Sequence, residues 1–131
     1  MLTALTSKSY RKALFNRLSG FSAAAELPAG GRAEQRLSRA MFMVLGRIAK
    51  MDGRVTQQEV DYAGQIMLRM ALIAGKRRGA IAAYNEGKHP DADLSESVAS
   101  AVKVMGRRSA LAKLFLQIQC EAAYLKGNLR L

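Results

Sequence analysis

The chain has 131 residues, of which 21 are Lys or Arg and 10 Asp or Glu, giving a net charge of +11. That length holds one domain with a real core. Half the residues are hydrophobic but only 6% are aromatic, so the core must be aliphatic and rich in the seven methionines. Two prolines and the lack of alternating strand-like runs point to an all-α chain. A single cysteine, Cys120, excludes an internal disulfide. No uninterrupted apolar run approaches the roughly 18 residues that cross a bilayer; even Ala40 to Gly46 is closed by Arg39 and Arg47. Lys8 and the Thr and Ser residues around it interrupt any signal-peptide centre, so the cytoplasm is the expected compartment.

From Leu2 to Leu18 the spacing predicts a basic amphipathic helix, with Tyr10, Leu14, Leu18 and Phe21 on one face and Lys8, Arg11, Lys12 and Arg17 on another. Such a helix lies on an anionic membrane surface or docks on the core of its own domain. Ser22 to Gly31, with its Ala run, Pro28 and paired glycines, reads as a loop. Residues 1–33 therefore form a basic N-terminal helix and an Ala/Gly/Pro loop, and 34–131 the main helical domain.

Two helices follow, from about Glu34 to Ile73, joined by a turn at Met51 to Glu59. Leu37, Met41, Val44, Ile48 and Met51 lay an apolar stripe along the first; Val60, Ala63, Met67 and Met70 do so along the second. Thr56 and Glu59 make a T-x-x-E capping box, which starts the second helix at Gln57, and Gly53 supplies the positive φ of the turn. Asp52, Gly53 and Glu59 also match positions five, six and twelve of a calcium-binding EF-hand loop. Positions one and three would be Ile48 and Lys50, so two oxygen ligands are missing. Asp52 and Glu59 are candidate metal ligands without half of their set, and the turn reads as a cap.

A helix over Lys76 to Asn85 turns Ala80, Ile81 and Tyr84 inward and stops at Gly87 before Pro90. Asp93 caps the next helix, whose stripe is Leu94, Val98, Ala101, Val102 and Met105 and which closes at Gly106. The last helix starts at Ser109. Leu111, Leu114, Phe115, Leu116, Ile118, Ala122 and Leu125 surround most of it, which predicts the most buried helix, with Cys120 as a small core residue and a turn at Lys126 to Leu129.

Met41 to Met70 (MFMVLGRIAKMDGRVTQQEVDYAGQIMLRM), Gly75 to Leu94 and Leu111 to Leu129 together resemble, in order and spacing, the tellurite-resistance TerB-like domain in the version found in a membrane-anchored DnaJ-like co-chaperone. The resemblance implies a compact all-helical bundle, here of about six helices. It also implies a transmembrane segment before the domain and a J-domain after it, hence an inner-membrane location for the longer protein and an Hsp70 partner reached through a J-domain not present in this chain. Many members repeat an acidic Asp-Gly turn near the end of the domain, which suggests a metal site shared between two turns. Lys126 stands in place of that acid here. Members continue into further helices, so a chain ending at Leu131 is expected to cover its last helix by self-association as a homodimer.

His89-Pro90-Asp91 matches the tripeptide through which J-domains act, but the long basic helix that precedes it in a J-domain is missing. It reads as part of a variable polar loop. One histidine, one cysteine and the absence of a glycine-rich phosphate loop leave no catalytic constellation, so neither enzyme activity nor a cofactor is expected.

Charge is the remaining signal. Arg36, Arg39, Arg47 and Lys50 lie off the apolar stripe of their helix, and Lys76, Arg77, Arg78, Arg107 and Arg108 sit at helix starts, which makes all nine candidates for binding an anionic partner. The expected function is a non-catalytic interaction or regulatory domain that binds a protein or an anionic membrane surface. The alternative is a stand-alone basic helical nucleic-acid-binding protein, which would lack aromatic stacking residues and any reading motif.

Overall fold

Residues 40 to 46 decide the architecture, because side chains pointing in every direction from this stretch are apolar or small. The computed structural model describes residues 31–106 and 109–130, and all the regular structure in them is helical. Helix α1 (Gly31–Ala49) buries Leu37, Ala40, Met41, Phe42, Met43, Leu45 and Ala49. A stretch apolar all round must be covered all round. α2 (Gln57–Arg69), α3 (Gly75–Gly87), α4 (Leu94–Met105) and α5 (Ser109–Arg130) all pack against it.

The described residues thus hold five helices where about six were expected. The expected helix over Leu2 to Leu18 lies outside the described residues, as do Arg107 and Arg108. α1 begins at Gly31, three residues before the expected start.

The centre of the bundle is α1, not the last helix. A single stripe underestimated its burial: Val44 and Ile48 are only half-buried, while Met51 falls in the turn with 70% of its surface exposed. On α5 one face is buried through Leu111, Leu114, Phe115, Ile118, Ala122 and Leu125, and Leu116 and Cys120 point away from the core. Cys120 is therefore a surface thiol. The expected turn at Lys126 is absent, and α5 runs on through it to Arg130.

The inward faces of the other helices are rotated from the expected ones. α2 buries Tyr62, Ala63, Ile66 and Met67 and leaves Val60 exposed; the Tyr62 hydroxyl donates to the Ile118 carbonyl at 2.7 Å and ties α2 to α5. α3 buries Ala80, Ala83, Tyr84 and Gly87 but not Ile81. α4 buries Ser97, Ala101 and Met105 but not Val102, and the Ser97 hydroxyl sits 3.1 Å from the Met43 sulfur on α1. Tyr62 and Ser97 take inward places because each finds a partner.

Candidate functional site

The turn between α1 and α2 forms as its residues dictate. Gly53 has φ of +86°, and the Asp52 carboxylate accepts a hydrogen bond from the Arg54 amide at 3.1 Å, closing the turn. The capping box is complete: the Glu59 amide donates to Thr56 Oγ1 at 3.3 Å, and the Thr56 amide donates to Glu59 Oε1 at 2.9 Å. α2 starts at Gln57, as the T-x-x-E spacing requires.

The third member of this site is Lys126, which the sequence shows standing where an acid is expected but not as a partner of Asp52 and Glu59. Lys126 extends from α5 into the turn, with only 7% of its side chain exposed. Its ammonium donates to the Arg54 carbonyl at 2.6 Å, to Asp52 Oδ1 at 2.8 Å and to Glu59 Oε1 at 3.0 Å. Three protons meet three oxygens. Burial works against the charge on Lys126, but the hydrogen bonds and charges of Asp52 and Glu59 together outweigh it and raise its pKa above that of an ordinary lysine. The readable signal was that Lys126 continues the buried row Ile118 and Ala122 at spacings of four, where a lone cation needs buried partners.

Asp52 and Glu59, the two candidate metal ligands, are thus brought together, but around an ammonium. A metal shared between this turn and α5 does not fit these residues, because Lys126 Nζ stands where the ion would have to be. Among the described residues no group of three or more His, Cys, Asp or Glu is placed to hold a metal ion.

Glu59 reaches further inward as well. Its Oε2 and the hydroxyl of Tyr84 are both buried without a hydrogen-bond partner, and both residues line a small cavity of about 10 Å³ together with Leu45, Ile48, Ala49, Tyr62, Ala63, Ala122 and Leu125. Burial, and then the Glu59 charge, push the Tyr84 pKa up to about 12.

The candidate partner-binding cations divide into two kinds. Arg36, Lys50, Arg77 and Arg78 are exposed. The other three that the structure describes are engaged within the chain. Arg39 makes a bidentate pair with Glu86 at 3.0 and 2.8 Å, which holds the Glu86 carboxyl below the usual range, and Lys76 pairs with Glu34 at 3.0 Å. Arg47 donates to the carbonyls of Gly87, His89 and Ala92 at 3.2, 3.2 and 2.9 Å. It pins the His89-Pro90-Asp91 loop to α1. Arg39 and Lys76 also line a groove of about 430 Å³ between α1 and α3, with Glu34, Gln35, Ser38, Leu72, Gly75, Gly79 and Ala80. No described helix is long and apolar enough to cross a membrane.

The chain is similar to the co-chaperone protein DjlA of Photorhabdus laumondii, with 40% identity over 88 residues that make up 67% of this chain and 32% of the relative. It is 38% identical to DjlA of Shewanella oneidensis over 88 residues, 67% of this chain and 34% of the relative. With DjlA of Vibrio vulnificus it shares 35% identity over 102 residues, 77% and 35% of the two chains. The match spans about a third of the length of these curated relatives. No protein-family model matches the chain, and no solved structure does.

Proposed function

We propose, from the premise that about two-thirds of this chain is homologous to a region of the DjlA co-chaperones, that it is a TerB-like, non-catalytic interaction domain serving a DnaJ-like co-chaperone. That homology is the observation that carries the reading. In it, the domain does not act on Hsp70 itself; a J-domain outside this chain does, and the helical bundle binds the protein or surface at which the co-chaperone works. The groove between α1 and α3, with the exposed Arg77 and Arg78 beside its lining residues, is the place in this bundle for such a partner.

The net charge of +11 favours an anionic membrane surface as a second docking target, to which each nearby basic residue contributes about 1 kcal/mol. Nucleic acid has the charge in its favour and no reading residues.

A chimaera tests the reading. This chain replaces the matching region of the Photorhabdus laumondii relative, and co-chaperone activity is compared with that of the intact relative and of a form lacking the region. Activity near the intact level supports the proposal. A chimaera that folds but is no better than the deletion overturns it.

A further inference from the structure

We propose that the Asp52 turn, with Glu59 and the Arg54 carbonyl, is a cation pocket whose resident cation is the chain's own Lys126 ammonium. The domain is then independent of free metal, and loss of the ammonium turns the pocket into a binding site for a small monovalent cation of the ammonium class. This is independent of what the domain binds elsewhere.

Three features of the geometry lead here. The oxygens come from one turn and the first turn of α2, where the Gly53 turn and the capping box hold them together. Their distances from Nζ, 2.6, 2.8 and 3.0 Å, are hydrogen-bond lengths from an ammonium. Calcium takes six to eight oxygens at about 2.3–2.6 Å, so three oxygens are too few for a calcium ion. Finally, without the lysine the two carboxylates have no counter-charge in the pocket. Asp52 and Glu59 bring two carboxylates to one place, and Glu59 is almost wholly buried. Without a cation their repulsion and the desolvation of Glu59 fall on the turn that joins α1 to α2.

A lysine in this place also does what a free ion cannot. Its charge comes tethered to α5, so binding the cation and docking the helix are one event. The contact needs no free ion to be supplied.

Thermal unfolding of the whole chain tests the proposal, with free ions as probes. Wild-type Tm is expected to be the same in calcium and in chelator. Lys126→Ala should lower Tm by about 10 °C or more, because it leaves buried charge uncompensated. Ammonium or methylammonium chloride should restore part of that loss, and tetramethylammonium chloride at the same ionic strength, whose ion is too large for the pocket, should restore less. Lys126→Met, which fills the space without the charge, should lose stability and show no selective recovery. In the wild-type chain, the Lys126 ammonium should give a slowly exchanging ¹H–¹⁵N NMR signal, a readout that does not depend on whether the variants fold. Calcium-dependent stabilisation of the wild type, an alanine variant as stable as the wild type, equal recovery in tetramethylammonium, or a freely exchanging Lys126 ammonium would each overturn the proposal.

Discussion

Gly46 on α1 lies directly against the backbone of Tyr84 on α3: a Cβ added to Gly46 would overlap the Tyr84 carbonyl. The contact is reciprocal, since a Cβ on Gly87 would overlap the carbonyl of Met43. The two helices therefore meet backbone to backbone, and that closeness lets Arg47 reach the carbonyl of Gly87. Gly46→Ala and Gly87→Ala are each expected to cost about 3 kcal/mol, because rigid backbone has to move apart. Gly64, inside α2 with nothing within 4 Å of its would-be Cβ, is the control. Gly64→Ala should stabilise by about 0.5–1 kcal/mol, as alanine does in an open helix position. Urea denaturation of the three variants checks the contrast in sign.

The capping box separates into two magnitudes. Thr56→Ala removes one cap acceptor and should cost about 1 kcal/mol. Glu59→Gln keeps a side-chain oxygen for the Thr56 amide but leaves Lys126 with one carboxylate where it had two, so it should cost more than Thr56→Ala, about 2 kcal/mol or above. Chemical denaturation ranks them. Equal losses would mean that the Lys126–Glu59 contact contributes little.

Local signals were legible where the chemistry is local. Thr56 with Glu59, Gly53 and Asp93 each act within a few residues of themselves, and the turn and both helix starts stand where their spacing puts them. For Asp93 the partner is Ser95, whose amide and hydroxyl both donate to its carboxylate. Burial was less legible: one stripe does not record that α1 is covered on several faces, and the inward faces of α2, α3 and α4 are rotated from their stripes, so Met51, Val60, Ile81 and Val102 lie exposed. The candidate site was half readable. Asp52 and Glu59 announce a cation, but Lys126 is 67 or more residues away in sequence, and only the fold brings it to them. The same holds for Arg47, whose acceptors are carbonyls, groups that carry no residue-type signal at all.

High pH should weaken the fold through two groups in the same region. Lys126 has a folded-state pKa raised above its unfolded value, so its contribution is fully present below the unfolded lysine value of about 10.4 and is lost as pH rises through the folded value. Tyr84, pushed up to about 12 from an ordinary 10, has the same sign: its contribution is complete below pH 10 and declines between the two values. Tyr84→Phe should remove a late-ionising group from the ultraviolet titration of the tyrosines. The phenylalanine variant should be as stable as the wild type at neutral pH, because the hydroxyl it removes has no hydrogen-bond partner, and should lose less stability near pH 11.

The arginines of α1 are expected to differ in kind, which matters for any attempt to map a basic binding face. Arg36 is exposed, and Arg36→Ala should change stability by less than about 0.5 kcal/mol. Arg39 pairs with Glu86 at the surface, where solvent screens the pair and it contributes little, and less still in high salt. Arg47 is half-buried, and its guanidinium serves three carbonyls at the end of α3 and in the loop before α4. Hydrogen bonds to a charged group are worth about 1.5–3 kcal/mol. Arg47→Ala should therefore cost about 3 kcal/mol and speed amide exchange in the loop from Lys88 to Asp93, with little dependence on salt. Loss of anionic-vesicle binding in an Arg47 variant would then report a loosened loop rather than a missing contact. Arg36, Lys50, Arg77 and Arg78 are the positions at which charge reversal tests a surface. If Arg47→Ala proves as mild as Arg36→Ala, with unchanged loop exchange, the clamp is not a structural element, and Arg47 returns to the set of candidate binding residues.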